Sequence, residues 1–167
     1  MKLRLQTFKL ELHPDKTKIV YCKQANRKEK YGVNSFIFLG VQFRPLKVKD
    51  KQGVFFKGFT SVVPKSSSRK IGDYIKRLSL HRQTDRDIYQ LAEMINGRLT
   101  GWFNYFKKWG IYKACGYFFY KLNQRLTKWA MNRHKRLYNK RKAIGFLKEI
   151  QRLNPYLFVH WKYGFPV

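Results

Sequence analysis

The residues that could gather divalent ions for phosphoryl or nucleotidyl transfer are nine carboxylates scattered along 167 residues. Asp85 and Asp87 come closest to a paired-carboxylate motif, and the start of a helix explains them better, because its dipole favours negative charge there. Cys22 and Cys115 lie far apart and form no CxxC, and His13, His81, His134 and His160 show no metal-ligand spacing. This pattern argues against a zinc finger or a disulfide scaffold and fits a reducing compartment. No serine or cysteine sits in a recognisable nucleophile turn. Neither a catalytic centre nor a metal site is visible.

What the chain does carry is positive charge mixed with aromatic rings. There are 37 Lys and Arg against 9 Asp and Glu, a formal net charge of +28, and such self-repulsion calls for a polyanionic partner. Between Pro64 and Lys142 the count is 20 basic against 4 acidic residues. Lys and Arg neutralise phosphates without reading sequence, while exposed aromatics stack on unpaired bases. An anionic membrane is the rival partner. It predicts a basic amphipathic helix or a polybasic tail, whereas here the charge is spread over the whole length. No apolar run approaches the ~20 residues of a membrane span, and the opening MKLRLQTFKLEL lacks a signal peptide's apolar core. The expectation is a cytoplasmic protein with no membrane partner.

A hydrophobic content of 44% with 17% aromatics describes a folded chain of one ordinary domain or two small subdomains. Its organising element is the stretch 88–109. Ile88, Leu91, Ala92, Ile95, Leu99, Trp102, Phe103 and Phe106 recur at steps of three and four, which predicts a helix of about six turns with one buried stripe. Thr84 is the expected N-cap. Gly97 and Gly101 each cost roughly 1 kcal/mol in a helix interior, so another backbone, of protein or nucleic acid, is expected to approach them closely. Upstream, residues 1–9 read as the end of a helix, and 10–21 as a turn leading into a short β-rich run. Segments 36–44 and 54–63 read as a hairpin turned at Asp50 and Gly53, with Gly40 as a bulge or close contact and Pro45 ending the first strand. After Pro64 the pattern is helical. One helix starts with a serine N-cap and buries Ile71, Ile75 and Leu78. Another runs over about 113–138 with Phe118, Leu122, Leu126, Trp129 and Ala130 inward. A short helix follows at about 143–153, then an aromatic tail. The fold class is α+β: a small antiparallel sheet over 1–63, a mainly α-helical three-helix bundle over 64–153, and a tail over 154–167.

Three segments, LELHPDKTKIV (10–20), FIFLGVQFRP (36–45) and NGRLTGWFNYF (96–106), occur in the order found in group II intron reverse transcriptases, the maturases. The first two resemble the last blocks of that family's palm. The third resembles the signature of its maturase-specific thumb, or X domain, and the ending NPYLFVHWKYG resembles the C-terminus of bacterial members. The resemblance spans essentially the whole chain but only the C-terminal third of such an enzyme. The family's catalytic aspartates and fingers lie upstream and match nothing here, and its zinc-containing endonuclease has no counterpart. The resemblance therefore implies RNA-directed DNA polymerase ancestry with no activity in this chain alone, and no cofactor. Mg2+ belongs to the catalytic part that is missing.

The resemblance also implies binding of structured RNA (a group II intron) and of an RNA–DNA or template–primer duplex, with an upstream palm–fingers chain as a possible protein partner. Asn96, Gly101, Trp102, Tyr105 and Phe106 carry the thumb motif, and Pro14, Lys16, Thr17, Leu39 and Gly40 the palm-edge motif. Within them, Gly97 and Gly101 are assigned to close approach, and Trp102 and Phe106 to the core. RNA contact is assigned to Lys16, to Lys65, Arg69, Lys70, Lys76 and Arg77, and to Arg98, Tyr105, Lys107, Lys108 and Tyr112. The 133–142 stretch adds Arg133, Lys135, Arg136, Lys140 and Arg141. Two other readings stay open: a subunit completing a split polymerase, favoured by an exposed apolar palm edge, and a generic basic DNA-binding protein, for which no recognition helix is visible.

Overall fold

The computed structural model describes residues 2–14, 17–23, 31–111 and 115–167. Lys16 and Tyr112, both assigned to RNA contact, lie outside them. The chain divides into two compact units, Met1–Val62 and Val63–Val167.

The first unit contains a short helix α1 (Lys2–Thr7) and an antiparallel sheet in the order β1 (Phe36–Phe38), β2 (Val41–Lys49), β3 (Phe55–Val62). The strand expected over 36–44 is therefore two strands. Phe38 pairs with Val41 across the two-residue turn Leu39–Gly40, whose φ angles are 47° and 72°. Positive φ at both turn residues is what a type I′ hairpin requires, so Gly40 makes a turn and not a bulge. Pro45 does not end its strand either. It pairs with Phe59 inside β2, beyond the reach of β1, whose partners stop at Phe43. There β2 has a neighbour on one side only, and a missing N–H is tolerated. The expected turn at Asp50 and Gly53 forms: the Asp50 carboxylate accepts from the amides of Gln52 (2.9 Å) and Val54 (2.8 Å). Residues 17–23 form no strand.

The second unit holds α2 (Lys65–Arg77), a 3-10 turn (Leu80–Arg82), α3 (Ile88–Lys108), α4 (Gly116–Arg133), a second 3-10 turn (Lys135–Leu137), α5 (Lys140–Leu153) and α6 (Val159–Lys162). The helix over 88–108 forms as its periodicity dictates, but its cap is Asp87, not Thr84. The Asp87 side chain accepts from the Gln90 amide while the Gln90 side chain accepts from the Asp87 amide, a reciprocal capping box. The helix ends at Gly110, φ +69°, with Gly110 N–H donating to Lys107 O and Ile111 N–H to Phe106 O, a Schellman motif. Pro64, without a side-chain bond, occupies the N-cap of α2, so the serines sit inside its first turn.

Packing centres on α4, which contacts α2, both 3-10 turns and α5. Leu122, Leu126, Trp129 and Ala130 on α4 are all but fully buried, and Trp129 Nε1 donates to Gln83 O at 3.0 Å. Instead of continuing to 138, α4 stops at Arg133, and the chain turns before Asn139 caps α5 through a bond from the Lys142 amide. The helix α5 is 14 residues long and buries Ala143 and Leu147, so four helices of substantial length build this unit. Two asparagines bind the tail. Asn96 Nδ2 donates to Leu157 O, and its Oδ1 accepts from Val159 N–H. Buried Asn123 donates to Phe165 O and Pro166 O and accepts from Trp161 Nε1 and His160 Nε2. Among the described residues no helix is long and apolar enough to cross a membrane.

Candidate nucleic-acid interface

On α2, Lys70, Asp73, Tyr74 and Arg77 recur at steps of three and four and share a face next to the buried Ile71 and Ile75. On α3, Arg98 and Trp102 are one turn apart. Together with the first 3-10 turn and Arg125 of α4, these faces enclose a cleft of about 1000 Å³. Its cations are Lys70, Lys76, Arg77, Arg82, Arg98 and Arg125, against the single carboxylate of Asp73. Among the described residues the only ion pair within 4 Å is Arg152–Glu149, far along the chain, so the cleft's positive charge has no carboxylate partner at ion-pair distance. Concave basic walls of this kind focus potential on an anion.

Two rings stand among these cations. Tyr74 and Trp102 meet edge to face with centroids 5.2 Å apart, and the Arg98 guanidinium lies 4.8 Å from the Tyr74 ring centroid. Trp102 was expected in the core, but it is half-buried and lines the cleft, whereas Phe103 and Phe106 carry the buried stripe. His81 also lines the cleft. Burial of its ring, then the charges of Arg125, Arg82 and Lys128, hold it below the ordinary imidazole value, so it adds no charge at neutral pH.

The other assigned residues are placed differently. Lys65 and Arg69 are exposed on α2 away from the cleft lining, and Lys107 and Lys108 are exposed in the last turn of α3, where cations favour the dipole. Tyr105 is exposed and edge-on to Phe106 at 5.3 Å. Arg133 is half-buried and donates to the carbonyls of Thr84 and Arg86, so its guanidinium ties α4 to the loop before α3. Lys135 and Arg136 are exposed on the second 3-10 turn, and Lys140 and Arg141 in the first turn of α5. Of the motif residues, Asn96 holds the tail, Phe106 is core, and Gly97 and Gly101 are exposed. A Cβ added at either glycine meets nothing within 4 Å, so among the described residues no other segment approaches them closely.

Arg82, Arg125, Tyr74 and His81 were not singled out from the sequence. Tyr74 was legible as part of the Lys70–Arg77 stripe. Arg125 was not, because it lies between the buried Leu122 and Leu126 and is brought to α2 and α3 only by packing.

The family described as "Group II intron, maturase-specific domain" matches residues 68–146, a span that includes every residue lining the cleft. No curated protein and no solved structure matches the chain.

Proposed function

We propose, from the match of residues 68–146 to the group II intron maturase-specific domain, that this chain binds structured RNA through the α2–α3–α4 cleft and assists intron splicing as part of a reverse transcriptase-type maturase. The observation that carries this reading is the cleft itself: six cations with no carboxylate at ion-pair distance, gathered from three helices and a turn around two aromatic rings. Positive charge supplies affinity for any nucleic acid, and a shaped cavity adds preference for a folded one.

The test is equilibrium binding of the purified chain to a structured intron RNA and to random duplex DNA across a salt series. A steep salt slope with RNA preferred by more than about tenfold, roughly 1.4 kcal/mol, supports the reading. Equal binding to both that vanishes together as salt rises reduces it to charge alone. Arg98→Ala should weaken RNA binding with little effect on the fold, since Arg98 is exposed.

A second role is favoured by the first unit, where Phe36, Ile37, Phe38, Phe55 and Phe56 are exposed on the sheet. Apolar side chains in that number mark a surface for protein. Its natural occupant is the upstream palm–fingers part of the polymerase, with which the chain would grip a template–primer duplex. Adding that polypeptide to the chain should restore DNA synthesis on an RNA template, and no synthesis by the mixture would remove this role.

A further inference from the structure

A fully paired helix and an extruded nucleotide make different demands on a protein. A duplex presents its phosphates along a convex ridge and needs a broad basic surface, whereas a splayed-out nucleotide needs a cavity with cations at its rim and a ring against which the base can lie. Resting on the RNA-binding reading above, we propose that the α2–α3–α4 cleft is a receptor for an unpaired nucleotide of a structured RNA. Its phosphates sit among the cleft's arginines and its base against the Tyr74–Trp102 pair.

Three features point the same way. The first is shape: the walls come from four separate segments, α2, the 80–82 turn, α3 and α4, and form a concave cleft of about 1000 Å³, with room for a nucleotide. The second is the type of cation. Arg77, Arg82, Arg98 and Arg125 are planar forks suited to bidentate contact with phosphate oxygens, and their planes also stack on bases. The third is the placement of the indole. The other residues of the α3 stripe are buried, yet Trp102 is half-buried and stands among cations, with Tyr74 against it and Arg98 over Tyr74. An indole needed only for stability would belong with Phe103 and Phe106 in the core. Here it forms, with Tyr74, an aromatic corner inside an electropositive cavity, the combination that single-stranded nucleic acid binders use.

The experiment compares three end-labelled RNA hairpins binding to the full chain by fluorescence anisotropy at one moderate salt concentration. One has a three-nucleotide bulge, one is fully paired, and one has the same bulge with its bases removed to leave abasic sugars. The expected result is that the bulged hairpin binds at least tenfold more tightly than the paired one, and that the abasic bulge falls back to the paired level. Trp102→Leu should bring the ratio of bulged to paired affinity down to about one. Equal binding of bulged and paired hairpins, with steep salt dependence kept, overturns the nucleotide receptor and leaves RNA binding standing. A preference that survives in the abasic hairpin overturns it as well, since flexibility of the backbone then suffices. Loss of binding to all three RNAs removes the underlying RNA-binding reading instead. The abasic comparison uses the unmodified protein, so it decides the question even where Trp102→Leu fails to fold.

Discussion

The two units of this chain use their apolar residues in opposite ways. The helical unit turns its residues inward: Leu91, Ile95, Leu99, Phe103, Leu122, Leu126 and Trp129 are each 2% exposed or less. In the sheet unit, Val41 is the one described apolar side chain that is buried, while Ile37, Phe38, Phe55 and Phe56 remain exposed. The difference is one of geometry. A helix hides its stripe against neighbouring helices within the same 105-residue stretch, Val63–Val167. A three-stranded sheet has two faces and two open edges, and one short helix supplies too little surface to cover them. The helical unit encloses a core of its own, and the sheet unit leaves apolar side chains exposed.

The largest expected effect tests the first half of that contrast. Trp129→Ala removes a buried ring and the shorter of the two hydrogen bonds to the Gln83 carbonyl, the other coming from the Arg86 amide, so it should cost about 3–5 kcal/mol. Urea unfolding followed by far-UV circular dichroism measures this, and a cost below about 1 kcal/mol would mean that α4 is not the hub of the unit.

Next comes the tail. Burial pushes His160 down from 6.5 to about 3, while its Nε2 lies 2.8 Å from Asn123 Oδ1. Because Asn123 Nδ2 already donates to two carbonyls, the imidazole donates through Nε2 and is neutral. The unfolded chain therefore takes up a proton that the folded chain refuses. The contribution of His160 is complete above pH ~6.5 and is lost as pH falls from there toward 3, about 2–3 kcal/mol of it by pH ~4.5. Unfolding midpoints at pH 7.5 and pH 4.5 should show this loss, and His160→Gln should lose less between the two. If both proteins lose equally, the acid sensitivity resides in the carboxylates.

Smaller effects sharpen the contrast at the surface. Gly97→Ala and Gly101→Ala should each stabilise the chain by about 0.5–1 kcal/mol, since Ala favours the helix and the added methyl meets nothing. Destabilisation by thermal melting would show that the exposed face of α3 is covered in the free protein. Ile37→Thr, in β1 where every side chain is exposed, should change stability in urea unfolding by less than about 0.5 kcal/mol. A loss above 1 kcal/mol would place Ile37 in a core and end the comparison.

Local pattern made much of this legible. The periodicity of 88–106 identified α3 and its buried stripe, and the Asp50–Gly53 turn identified the hairpin, because both depend on residues a few positions apart. The same rules misplaced details where neighbouring choices compete. Asp87 outcompeted Thr84 because Gln90 could reciprocate, and Leu39 accepted a positive φ beside Gly40, which sequence pattern had read as one strand. At the candidate interface, charge and aromatic content pointed to nucleic acid, and Lys70, Lys76, Arg77 and Arg98 were readable as basic residues of their own helices, whereas Trp102 was read as core.

Sequence by itself thus determined the stripe that α3 buries at Leu91, Ile95, Leu99, Phe103 and Phe106 and the strong positive charge of the chain, since both follow from residue type and helical repeat. Tertiary structure alone decided that Trp102 leaves the core and that Arg133 is spent on backbone carbonyls. It also decided that Arg125 from α4 joins Arg98 and Tyr74 in one cavity. The reason is physical: which faces of three helices meet depends on how α4 packs between residues some 50 positions apart, and no local spacing encodes that distance.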